Sequence, residues 1–254
     1  MPWTLPLLAL SLVLTIAVYP FTPHPVVFAN VMEAIALVVT AVNLTLTAAA
    51  FGRNDAPRRA WMRLAIGIWI WIIAQLMGIY CELILNQVSY GTLADSFWVI
   101  GYFPLISGLC LLVSNYRSTG LPMGSTRSYV IQGLVLLTAY LVLFFVLIWG
   151  QIVNPDRSLV LKLLDVAYPT FDLVLIAMGS VLLRVSWLMR GGSLAKSWIF
   201  LCIGFALTCT ADILLAYTTD FDSLSYHFQD VFYYVAYFMI ALAAKYQYDI
   251  ITSD

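Results

Sequence analysis

Seven of the 13 acidic side chains fall in or at the ends of apolar runs: Glu33, Glu82, Asp95, Asp165, Asp172, Asp212 and Asp230. Their placement repeats. Asp95 lies at the head of ADSFWVIGYF, residues 94–103, and Asp230 at the head of QDVFYYVAYF, residues 229–238. From each Asp onward the two phrases share Asp, Phe, Tyr and Phe in step, and pair Trp with Tyr, Ile with Val and Gly with Ala. The runs before them also match: GIYCELILN carries Glu82 and TCTADILLAY carries Asp212. A third run, LLDVAYPTFDLVLIAMG, places Asp165, Tyr168 and Asp172 at i, i+3 and i+7, one face of a helix. Asp172 then lies roughly 10 Å deeper than Asp165 along the axis.

The chemistry open to such acids is limited. A charge in hydrocarbon costs several kcal/mol, so it faces a bundle interior, water or a partner. Asp95 and Asp230 begin helices, where an acid also serves as an N-cap. That account fails for Glu82 and Asp212, near helix C-termini, and for Asp172 inside a helix. Those three call for proton uptake, tyrosine hydroxyl partners, or a bound cation or polar ligand. Carboxylates gathered at low dielectric cannot all stay ionised without a cation.

The elements that hold these acids are membrane helices. Hydrophobic residues make up 63% of the 254 and charged residues 10%, against about 25% charged in soluble domains. Eight apolar runs have roughly the length that spans a bilayer: residues 3–20, 26–51, 61–85, 93–113, 127–149, 159–187, 194–217 and 227–248. The fold class predicted is all-α, a polytopic integral membrane bundle forming one domain, 1–254, with no soluble domain attached. The first run has neither a basic start nor a cleavage site, so it reads as a retained helix. Arg53, Arg58, Arg59, Arg63, Arg117, Arg127, Arg184, Arg190, Lys196 and Lys245 fall on one side; only Arg157 and Lys162 fall on the other. The positive-inside rule makes the first side cytoplasmic, with both termini, in a cell inner membrane.

Spans three–four and seven–eight read as copies of one hairpin with the acids at its outer end. Spans five–six form a weaker copy and spans one–two, with Glu33, a degenerate fourth. Parallel repeats of this kind build membrane bundles. The aromatics alone would be explained by interfacial belts, but the aligned acids would not. Cys81, Cys110, Cys202 and Cys209 lie within spans and read as apolar packing. No CxxC pair occurs, His24 and His227 are the only histidines, and no metal site or cofactor is expected. Lys245 and Lys162 sit at span ends, which argues against a retinal Schiff base. No GxSxG, HExxH, P-loop or dinucleotide fingerprint occurs, so enzyme activity is not expected. The NLT at Asn43 lies inside a span and is discounted as a glycosylation site.

LADSFWVIGYFPLISGLCLL, LDVAYPTFDLVLIAMGSVLL and TADILLAYTTDF with QDVFYYVAYFMIALAA together resemble the multi-span N-terminal membrane regions of bacterial signalling proteins. In those proteins the region precedes GGDEF/EAL diguanylate cyclase or phosphodiesterase domains, or histidine kinases. The resemblance covers roughly residues 60 to 245 and implies an input module; no output domain is present in this sequence, so no cyclic-dinucleotide chemistry carries over. The function expected is a membrane sensor with an outward-facing acidic and aromatic pocket among spans three, four, six, seven and eight. Its predicted ligand-binding residues are Asp172, Glu82, Asp212, Asp165, Asp95 and Asp230, walled by Tyr80, Tyr102, Tyr168 and Tyr237. A structural or assembly subunit of a membrane complex is the alternative. A small proton-coupled transporter is third, weakened because the inner half lacks acids. Partners are the lipid bilayer and membrane or signalling proteins; nucleic acid is not among them.

Overall fold

The computed structural model describes all residues except 23–24, 121–122, 189–191, 218–223 and 254, and the side chains of all of these except 15–17, 20, 192–193 and 224–228. Among the described residues there is no strand. The helices are α1 (Thr4–Val18), α2 (Pro25–Ala50), α3 (Ala56–Ile84), α4 (Leu93–Ser118), α5 (Thr126–Val153), α6 (Leu159–Leu188), α7 (Gly192–Tyr217) and α8 (Leu224–Thr252). The last turn of α3, Tyr80–Ile84, is π-helical, as is Phe144–Ile148 within α5. Helices α2 to α7 are long and apolar enough to cross a membrane; the apolar part of α1, Thr4–Leu14, is shorter. α8 has the length but also carries Gln229, Asp230, Lys245, Gln247 and Asp249. The chain is an all-α, polytopic membrane bundle.

Helix ends overrun the apolar runs at the end rich in Arg and Lys. α3 starts at Ala56 rather than 61, with Asp55 before it and Pro57 in its first turn, a position that suits proline. Arg58 and Arg59 therefore continue the helix beyond the hydrocarbon. α4 runs on to Ser118 and α8 to Thr252. Apolarity marks immersion, not the end of the helix.

Six helices close a ring. α2 packs on α3, α3 on α4, α4 on α6, α6 on α7, α7 on α8, and α8 returns to α2. α1 leans on α8, while α5 stands outside against α6 and α7. The expected arrangement of four hairpins around one axis is thus corrected: the first and third hairpins, the weaker copies, each place one helix in the ring and one outside. The segment Thr126–Leu143 of α5 buries no residue. A helix whose neighbours are lipid on most sides needs no distinctive face, because lipid tails are as apolar as a protein core.

Close crossings hold the ring. A Cβ on Gly67 would fall 2.6 Å from Leu105 Cγ and 2.9 Å from the Gly101 carbonyl. In the second half, a Cβ on Gly204 would fall 2.7 Å from Ile240 Cγ1 and 3.0 Å from the Ala236 carbonyl. Small residues at these crossings let the helix backbones approach. α2 and α8 are joined by polar contacts to backbone carbonyls: Thr40 Oγ1 to Tyr237 at 2.7 Å, Asn43 Nδ2 to Ala241 at 3.2 Å and Thr47 Oγ1 to Ala244 at 2.8 Å. Asn43 is fully buried, in keeping with its dismissal as a glycosylation site. Cys110 is exposed on the bundle surface, whereas Cys81, Cys202 and Cys209 are half-buried.

Toward the basic end the ring centre is filled. Trp61 of α3 and Trp198 of α7 stack with ring centroids 5.9 Å apart and planes 24° apart. α3 and α7 face each other across the ring, so this stack bridges its middle. Leu64, Ile68, Leu105, Leu109 and Phe205 are all buried beside it.

Candidate functional site

At the opposite, acidic end the ring encloses a cavity of about 120 Å³. α2 contributes Asn30 and Glu33; α3 contributes Trp71, Gln75, Gly78 and Glu82; α4 contributes Asp95, Trp98 and Tyr102. Tyr168 of α6, Thr208 and Asp212 of α7, and Gln229, Asp230, Tyr233 and Tyr237 of α8 also line it. The α3 residues recur every three or four positions, so one helix face looks inward. Among the described residues no Lys or Arg lines the cavity.

Each acid has its own setting. Asp95 is not the N-cap of α4. That position is Thr92, and Asp95 sits three residues on, in a capping box. Its Oδ2 accepts from the backbone N–H groups of Gly91 and Thr92, both at 2.8 Å, and Tyr168 donates to its Oδ1 at 2.6 Å. Glu82 lies in the π-helical turn, where such turns frequently mark functional sites. It accepts from Asn30 Nδ2 at 2.7 Å and Ser89 Oγ at 2.6 Å. Gln75 Nε2 donates to Asn30 Oδ1 at 3.1 Å, extending this polar chain across α2 and α3.

Asp172 and Asp212 converge on one hydroxyl. Tyr102 Oη lies 2.9 Å from Asp172 Oδ1 and 3.2 Å from Asp212 Oδ2. Tyr233 also donates to Asp212. Asp172 is fully buried, and its Oδ2 has no hydrogen-bond partner among the described residues. It stands behind Tyr102 rather than in the cavity wall.

Asp165 also stands outside the wall, and it is occupied. Arg157 Nε and Nη2 reach its two oxygens at 2.5 and 2.7 Å, and Tyr90 donates to Oδ1 at 2.7 Å. Burial, with Asp165 beside it, holds the Tyr90 phenol above its usual pKa, so it remains a donor. Burial opposes the charge on Arg157, but the hydrogen bonds and charge of Asp165 outweigh it and raise the guanidinium pKa.

Of the residues predicted for the site, Glu82, Asp95, Asp212, Asp230, Tyr102, Tyr168 and Tyr237 line the cavity; Asp165 and Asp172 do not. Tyr80, predicted as a wall, is 54% exposed and points outward. His24, and the side chain of His227, lie outside the described residues. The cavity also draws on α2, whose Glu33 and Asn30 were not among the predicted ligands. The lining amides Gln75 and Gln229 and the lining Trp71 were missed as well. Uncharged polar residues inside apolar spans were the available signal for the amides.

The two hairpins correspond in a shifted register. Gly67 and Gly204 make the same crossing, and Trp61 and Trp198 stand equally far before them. Counted from these glycines, the α3 residue in the place of Asp212 is Gln75. Glu82, expected to match it, stands further toward the acidic end. Compared with protein-family models, curated proteins and solved structures, the chain matches none.

Proposed function

We propose that this chain is a membrane ligand-binding module, the input side of a signalling system, with its pocket at the acidic end of the ring. One observation carries the reading: a cavity walled by carboxyl groups and aromatic rings lies over a floor of packed apolar side chains. The filled ring centre separates the cavity from the basic end, as a one-sided binding site requires. The resemblance to bacterial input regions points the same way. On this reading the shared crossings reflect an internal duplication, and the two outlying helices α1 and α5 belong to its two halves.

The test is native-detergent purification followed by mass spectrometry. A small molecule is expected to leave with the wild-type protein on denaturation. It should be lost from Gly78→Phe, which places a large side chain in the cavity wall, and kept in Gly133→Phe, where open space surrounds the glycine. Equal recovery from all three, or none from the wild type, overturns the reading. A co-purifying protein in place of the small molecule would instead favour the assembly-subunit reading.

Orientation is part of the proposal. The basic end faces the cytoplasm of a bacterial inner membrane and carries both termini. A C-terminal reporter active only in the periplasm is expected to stay silent. Strong activity there reverses the topology and turns the pocket inward.

A further inference from the structure

We infer that the pocket takes a small organic ammonium ion with N–H donors, a protonated amine; the inference rests on the cavity being a ligand site, as proposed above. Gln229 supplies the observation that points to a ligand. It is 2% exposed, it lines the cavity, and its Oε1 has no donor among the described residues. A buried carbonyl oxygen without a donor is costly, and an ammonium N–H satisfies it.

The rest of the wall selects the charge. Glu33, Glu82, Asp95 and Asp212 line the cavity, and among the described residues no Lys or Arg does. Such a wall favours a cation over an anion. The acids come from α2, α3, α4 and α7 and surround the space, and among the described residues no three His, Cys, Asp or Glu gather as a metal site. Charge spread round a wall suits an organic cation better than a point ion.

Aromatic rings supply the remaining contact. Trp71 lies edge-on to Tyr102 with centroids 5.2 Å apart, and its centroid is 6.0 Å from that of Tyr237. Tyr233 stacks on Tyr237 at 6.3 Å. Ring faces attract cations, and more strongly where water is excluded. A cavity of about 120 Å³ suits a small amine.

Three probes of one carbon skeleton test this on the full chain in detergent at neutral pH: 3-methylbutylamine, 3-methylbutan-1-ol and 3-methylbutanoate. The amine is expected to raise the melting temperature in a saturable way, and the alcohol and carboxylate are not. Glu33→Gln and Gln229→Met should each weaken the amine on the order of tenfold, a loss typical of one buried polar contact, while Gly133→Phe leaves it unchanged. An alcohol that binds as well as the amine, or a carboxylate that binds better, overturns the charge class and leaves the pocket standing. Amine binding indifferent to both substitutions overturns the inference, because the amine is then held elsewhere. No shift with any probe also overturns it, whereas the reading of the cavity as a ligand site is decided separately by the Gly78→Phe mass-spectrometry experiment.

Discussion

Replacing Arg157 with alanine is expected to destabilise the bundle by about 3–5 kcal/mol, the cost of leaving one member of a buried ion pair alone. The side chains of Arg157 and Asp165 are 8% and 0% exposed, and the contact is two-pronged. Among the described residues no other cation reaches Asp165. Tyr90 remains as a donor, but one phenol does not replace a guanidinium. Reversible unfolding in mixed micelles titrated with SDS measures the loss. The Arg157→Ala, Asp165→Asn double variant should recover most of it, since it removes the charge that needed a partner. A single-variant loss below about 1 kcal/mol would place the pair among water-screened surface ion pairs.

Trp71→Ala is expected to cost a similar amount, about 3–5 kcal/mol, as other buried Trp or Phe truncations do. The indole is 2% exposed and lies over Gly101, where a Cβ would approach it to 2.4 Å. Its Nε1 donates to the Trp98 carbonyl at 2.9 Å, fixing the ring against α4. Alanine leaves a void between α3, α4 and α8 and removes a wall of the pocket. Trp71→Phe should retain much of the stability while lacking the indole donor. Comparing the two variants by SDS unfolding separates packing from the hydrogen bond, and equal losses would assign the whole effect to the donor.

How far the sequence foretold this structure depends on what hydrocarbon conceals. The helices were legible because immersion demands long apolar runs. Ring membership was not: α5, outside the ring, and α2, inside it, are both apolar enough to span, and lipid erases the usual contrast between an inner and an outer face. The acids were legible because charge in a span always needs a reason. Their roles separated only in three dimensions. Asp165 is bound by Arg157 from the loop before its own helix, and Asp172 sits behind Tyr102. Asp95 was half readable, since Thr92 followed three residues later by an acid is a capping pattern. Its second partner, Tyr168, comes from α6 and has no local signature. Asn30 and Gln75 carry no charge, yet they link Glu82 to the neighbouring helix.

The Trp61–Trp198 stack gives the bundle a closed bottom. On the proposed reading the cavity exchanges ligand with the acidic end alone, and occupancy obeys equilibrium with that side. News of occupancy can then reach the basic end only as displacement of the helices themselves. The two indoles belong to α3 and α7, which also supply opposite walls of the cavity, Gln75 and Asp212 among them. A ligand drawing those walls together or apart would work against the stack as against a hinge pin. The stack is thus the natural place to look for transmission, and a ligand-induced fluorescence change that is lost in Trp61→Phe or Trp198→Phe would assign it to these two of the eight tryptophans.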